Sequence, residues 1–291
     1  MRGTARGKRG GDSPIGIFDS GIGGLSVLQA LQAELPGERF VYLADNGYAP
    51  YGERGDEFVL ARTLVVARHL LEQHGIKALV IACNTATAAA VQAVRERYPG
   101  MTVVGVEPAL KPAIALSRTG HVGVIATRGT VNSTKFQALL GSLQARHAPR
   151  ARFTVQACDG LAAAIEQAAR QVDAANTMKI RALCAEYTGA MGQFGHQDSD
   201  IDTLVLGCTH YVFARPLLQA CVGADIQLLD NGPAVARHTH HLLATGDLLA
   251  PPQATPSLHG CTTGDPVILQ AAVARWLASP LAAVTQIDLP H

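Results

Sequence analysis

Ala78-Leu79-Val80-Ile81-Ala82-Cys83-Asn84-Thr85 is an apolar run of strand length that ends in a cysteine and two short polar residues. The chain repeats the device at Thr203-Leu204-Val205-Leu206-Gly207-Cys208-Thr209-His210. A continuous apolar run bounded by turn residues reads as a strand buried on both faces, the condition of a parallel sheet covered by helices. Upstream of each copy lies a second matched pair, Ile15-Gly16-Ile17-Phe18 and Val122-Gly123-Val124-Ile125. Two pairs in the same order mark an internal duplication.

Strand and helix patterns alternate outward from these runs. In the first half, strands at 15–18, 40–43, 78–81 and 102–106 alternate with helical spacing at 25–31, 57–74 and 86–97. In the second half, strands at 122–126, 152–158, 204–206 and 227–229 accompany helices at 133–143, 161–170, 176–187, 213–220 and 233–245. The Pro-rich stretch 250–257 reads as a loop and 267–277 as a last helix. The fold class predicted is α/β: two similar doubly wound lobes related by a pseudo-twofold axis. Open α/β sheets bind ligands outside the carboxyl ends of their strands, so the site is expected in the cleft between the lobes. The division read from the sequence is a flexible basic tail over 1–13, a first lobe of 14–108 plus 226–291 with Asp19 and Cys83, and a second lobe of 109–225 with Glu166, Cys208 and His210.

A chain of 291 residues suits about two domains. With 48% hydrophobic and 16% charged residues it has ample core material, which excludes wholesale disorder. Lys and Arg number 24 against 23 Asp and Glu, and aromatics are 5%, which argues against a nucleic-acid binder. Mean hydropathy is +0.15. The longest uncharged stretch, 78–94, is broken by Asn84, Thr85, Thr87 and Gln92, so no membrane span is expected. The basic, Gly-rich first dozen residues lead into no apolar segment, so no secretory signal is read there. Six cysteines without a CxxC pair fit a reducing, cytoplasmic setting better than a disulfide framework or a zinc knuckle.

The chain has no GxxxxGK[ST] and no GxGxxG, and Ser20-Gly21-Ile22-Gly23-Gly24 reads as a tight strand-to-helix turn. No lysine stands at a strand exit, so a Schiff-base cofactor is not expected. Cys158, Cys184, Cys221 and Cys261 read as small core residues. Cys83 and Cys208 stand apart because they occupy the same place in matched turns. Free N–H groups at a helix N-terminus favour thiolate, so both thiols are expected below the ordinary value of about 8.5. Near the same rim stand Asp19, Asp45, Glu166 and His210. Asp19 reads equally as a helix cap and Glu166 as a solvated helix face. His210 and Cys208 lack further ligands at zinc spacing, so no metal is expected.

Five motifs together are specific: Ile17-Phe18-Asp19-Ser20-Gly21-Ile22-Gly23-Gly24, Pro50-Tyr51-Gly52, Ala82-Cys83-Asn84-Thr85-Ala86-Thr87, Ala126-Thr127-Arg128-Gly129-Thr130 and Leu206-Gly207-Cys208-Thr209-His210. Thr262-Thr263-Gly264-Asp265-Pro266 adds a sixth. On these the chain resembles the glutamate racemase family. The resemblance implies cofactor-independent interconversion of L- and D-glutamate for peptidoglycan synthesis by a cytoplasmic homodimer, without nucleic acid or membrane. It implies that Cys83 takes the α-proton from D-glutamate and Cys208 from L-glutamate, assisted by Asp19, Glu166 and His210. It also implies substrate contacts from Asp19, Ser20, Tyr51, Gly52, Asn84, Thr85, Thr209 and His210, and a pocket carboxylate at Asp45. Many members have Cys-Pro where this chain has Cys158-Asp159. The alternatives are an aspartate or related amino-acid racemase of the superfamily and a non-catalytic two-lobed amino-acid-binding protein.

Overall fold

Two all-parallel sheets, each flanked by helices on both faces, organise the chain. The computed structural model describes residues 10–170, 173–277 and 283–290. In chain order the first part runs β1 (Ile15–Asp19), α1 (Leu25–Glu34), β2 (Arg39–Ala44), α2 (Asp56–His74), β3 (Ala78–Ile81), α3 (Asn84–Arg97), β4 (Thr102–Gly105) and α4 (Leu110–Leu116). The second runs β5 (His121–Ala126), α5 (Arg128–Asn132), α6 (Thr134–His147), β6 (Arg152–Ala157), α7 (Leu161–Arg170), α8 (Ala174–Gly189), β7 (Thr203–Leu206), α9 (Arg215–Val222) and β8 (Gln227–Leu229). The chain then adds α10 (Gly232–Thr245), β9 (Ser257–Thr262), α11 (Pro266–Trp276) and β10 (Ala283–Gln286).

The sheet orders are β10-β9-β2-β1-β3-β4 and β6-β5-β7-β8. The order 2-1-3-4 of the first half therefore recurs as 6-5-7-8 in the second. Register repeats as well: Ile15 pairs with Phe40 and Ala78, and Val122 pairs with Phe153 and Thr203. The duplication read in the sequence is thus a duplication of topology. Strands buried on both faces need apolar residues throughout. β1, β3 and β7 are buried at every position. In the first sheet one face packs Phe40, Tyr42 and Val80 with residues of α1, α10 and α11, and the other packs Val41, Leu79 and Ile81 with α2 and α3. In the second, Leu204 and Leu206 pack with α7, α8 and α9, while Val124 and Val205 pack with α4 and α6.

The structure corrects three expectations. Gln227–Leu229, assigned to the first lobe, pairs with β7 in the second sheet, so the chain crosses back only after Leu229. The sequence pattern predicts no strand at β9 or β10; Gly260 and the polar residues of Ser257–Thr262 interrupt the apolar pattern, and pairing with β2 fixes β9 nonetheless. Cys221 is exposed, on the outer side of α9, whereas Leu218 and Val222 are buried. Of the tail, 1–9 lies outside the described residues. Gly11 within it is anchored, its carbonyl accepting from Lys77 Nζ at 2.6 Å. No helix among the described residues is long and apolar enough to cross a membrane.

Candidate active site

In each sheet the strand order reverses beside the central strand, β1 and then β5, and such switch points leave a crevice at the strands' carboxyl ends. Ser20 and Cys83 leave the ends of β1 and β3; Thr127 and Cys208 leave the ends of β5 and β7. All four line one cavity of about 200 Å³. The two switch points therefore face a common space, which also receives Asn46, Tyr51, Gly52, Asn84, Thr85, Glu166, Gln167, Arg170, Thr209 and His210.

The two cysteines are held differently. Cys83 is the N-cap of α3, and its Sγ accepts the Ala86 amide at 3.4 Å and lies 3.7 Å from Ser20 Oγ. Burial, reinforced by the charge of Asp19, pushes the Cys83 thiol up to about 12 against the pull of these two hydrogen bonds. The helix N-terminus thus does not lower this thiol as expected: desolvation of a buried thiolate outweighs one amide. Cys208 precedes a 3-10 turn, Thr209–Ala214, and takes no cap bond from it. Its Sγ instead lies 3.8 Å from His210 Nδ1. The opposite ring nitrogen, Nε2, lies 2.8 Å from Glu166 Oε2. Burial alone would lower the imidazole, but its bonds to Cys208 and Glu166 raise His210 well above the ordinary value.

Glu166 is buried at the lobe boundary, not on a solvated helix face. Its Oε2 accepts the Ile22 amide at 3.0 Å. The glycine turn makes room for this approach. A Cβ on Gly21 would stand 2.4 Å from Glu166 Oε2, and one on Gly23 would stand 2.4 Å from His210 Nδ1. Glycine supplies the close backbone approach that no other residue allows. Ser26 Oγ and Thr209 O, 3.3 Å apart, add a further tie between the lobes.

Asp19 lies beneath the cavity wall, fully buried, and is not a helix cap. Its Oδ2 accepts the Gly21 amide at 3.1 Å and its Oδ1 lies 3.5 Å from Thr209 Oγ1. Burial raises its carboxyl above the ordinary carboxylate range, against the pull of His210 and two backbone amides. Asp45, expected as a pocket carboxylate, is fully buried behind the cavity. It accepts from Tyr51 Oη at 2.5 Å and from Arg62 Nη2 at 2.8 Å and Nε at 3.1 Å. Its partner Arg62 neutralises the charge that burial would otherwise forbid, so Asp45 positions Tyr51.

Asn46, Thr127, Gln167 and Arg170 are lining residues that the sequence reading did not single out. Asn84 Oδ1 accepts from Asn231 Nδ2 at 3.2 Å, whereas its own buried Nδ2 has no protein partner among the described residues. Thr85 Oγ1 and Thr127 Oγ1 are 3.0 Å apart across the cavity wall.

A family model described as Asp/Glu/Hydantoin racemase matches residues 18–239. The chain belongs to this racemase family. It is 48% identical over 245 residues to a glutamate racemase of Ectopseudomonas mendocina, covering 84% of this chain and 88% of that one. Among solved structures, glutamate racemase isoform RacE1 from Bacillus anthracis superposes with a TM-score of 0.81 at 31% identity, covering 96% of this chain and 98% of that one. The Escherichia coli glutamate racemase in complex with L-glutamate and the activator UDP-MurNAc-Ala superposes at 0.79 with 27% identity, covering 96% and 100%. The two-lobed α/β architecture is therefore that of the racemase family.

Proposed function

We propose that the protein interconverts L- and D-glutamate without a cofactor, and so supplies D-glutamate for peptidoglycan synthesis in the cytoplasm. The observation that carries this reading is the common cavity lined by Cys83 and Cys208 from equivalent strand exits. Inversion at Cα needs a base on one face and an acid on the other, because the carbanion-like intermediate is nearly planar. A duplicated scaffold offers two such groups. Cys83 acts on the D-enantiomer and Cys208 on the L-enantiomer; in each direction the opposite thiol returns a proton. His210 lies within reach of Cys208, and Asp19 and Ser20 flank Cys83. Acid–base help of this kind is worth about 10²–10⁴ in rate. The remainder comes from orientation and from fixed donors around the carboxylates. The unpartnered Asn84 Nδ2 and the hydroxyls of Ser20, Thr85 and Thr209 suit that task.

Circular dichroism of L- and D-glutamate, with aspartate in parallel, tests the reading on purified protein dialysed against chelator. Loss of optical activity from either glutamate enantiomer is expected, and Cys83→Ala or Cys208→Ala should each abolish it in both directions. No change with glutamate, activity restored only by pyridoxal phosphate, or an alanine variant at near wild-type rate overturns it.

A further inference from the structure

Outside the cavity, the fold gathers one thiol and three imidazoles that are far apart in sequence. Residues two apart on a strand face the same side. His259 and Cys261 share one side of β9, and Cys261 is buried in the core formed with α2. From α2 come His69 and His74, the latter in its last turn. His74 Nε2 lies 3.6 Å from Cys261 Sγ. The rings of His74 and His259 have centroids 5.5 Å apart, and those of His69 and His74 5.6 Å apart. One ligand atom each from His74, His259 and Cys261 lies within 4.8 Å of the others. His69 Nε2 is buried and has no protein partner among the described residues.

We propose that His74, His259 and Cys261 bind one divalent transition-metal ion of the zinc class, with solvent in the fourth position. Two imidazole nitrogens and one thiolate are the donors zinc takes in tetrahedral sites, whereas calcium and magnesium require oxygen. Bonds of about 2.0–2.3 Å put tetrahedral zinc ligands about 3.3–3.6 Å apart. The His74–Cys261 separation of 3.6 Å already meets this. His259 is only partly buried, so its ring has room to close the rest. The ion sits at the C-terminus of a helix of 19 residues, where the macrodipole favours positive charge. Binding displaces the Cys261 proton to solvent and ties α2 to the strand that returns late in the chain.

Cobalt(II) titration of the full-length protein, reduced and stripped with chelator, tests this. One ion per chain with a thiolate-to-cobalt charge-transfer band, displaced by zinc, is expected. Cys261→Ser should remove the band. His259→Gln, at a partly buried site, should weaken zinc binding more than about 10-fold, beyond the lower bound for losing an outer partner. The same variant should leave racemisation unchanged. At equal zinc concentration Tm should rise less for His259→Gln than for wild type. The Cys83→Ser, Cys208→Ser double variant should keep the band. Absence of a bound ion, a band that survives Cys261→Ser, zinc affinity unaltered by His259→Gln, or a band lost with the two cavity cysteines overturns the proposal.

Discussion

His210 Nε2 and Glu166 Oε2 are 2.8 Å apart, and the same oxygen accepts the Ile22 amide from the other lobe. One carboxylate therefore orients the imidazole toward Cys208 and pins the glycine turn that carries Ser20. Local chemistry and lobe closure share a single atom.

Replacing Glu166 by Gln separates the two roles, because the amide oxygen still accepts from Ile22 while the charge is gone. His210 is raised in the folded state, so its protonation stabilises the fold fully below about pH 6.5, the unfolded value. That contribution is lost as pH rises through the higher folded value. The stability gap between wild type and Glu166→Gln should therefore be widest near pH ~6 and narrow as pH rises. Urea midpoints across pH measure it; a gap that widens with pH contradicts the assignment. The L-to-D kcat should also fall more than the D-to-L kcat. The kcat/KM values must fall equally, since the equilibrium constant between enantiomers is one.

Burial pushes Cys83 up to about 12, and Asp19 is the foremost of the charges that add to it. Asp19→Asn removes that charge, so the thiol should move down and be alkylated faster at about pH 8.5, near the free-thiol value. The D-to-L kcat should nonetheless fall, because the carboxyl no longer assists the proton transfer. Mass spectrometry of Cys83 labelling and initial rates in the two directions give the two readouts. Unchanged labelling would mean that Asp19 does not act on the sulfur.

Strand runs and their repetition made both sheets' inner strands legible, because burial on both faces leaves a continuous apolar signature in β1, β3, β5 and β7. β9 escaped because Gly260 and its polar residues break that signature, and only pairing with β2 fixes it as a strand. Within the site, Thr127 was available to the same reasoning: register places it as the counterpart of Ser20. Gln167 and Arg170 complete, with Ala163 and Glu166, a stripe at spacings of three and four residues on α7. The role of Asp45 was not legible. A carboxylate after a strand looks alike whether it faces a ligand or an arginine that lies 17 residues away.

That pair sets a large expected effect on stability. Arg62 and Asp45 are both buried, and Tyr51 Oη also donates to Asp45. Removing one member of a buried pair leaves an uncompensated charge, at about 3–5 kcal/mol. Arg62→Met should lose about that much in chemical denaturation, and Asp45→Leu with Arg62→Met together should lose less. Additive losses in this cycle would show that the two charges are not coupled. KM should rise in the double variant, because Tyr51 Oη loses the Asp45 acceptor that fixes it against the cavity.

Arg170, at the end of α7, is the arginine among the residues that line the cavity, and it is exposed. An anionic substrate is drawn to such a charge, but water screens the attraction, so it is worth about 1 kcal/mol or less. Arg170→Gln should therefore raise KM for glutamate by no more than about fivefold. It should leave kcat within twofold, on the order expected when binding energy is lost equally from ground and transition states. Rising ionic strength should increase KM for wild type and affect the variant less, since a Debye length of about 8 Å at physiological salt screens an exposed charge. Steady-state rates at low and high salt check all three effects. A fall in kcat with unchanged KM would place Arg170 at the reacting centre instead of the cavity mouth.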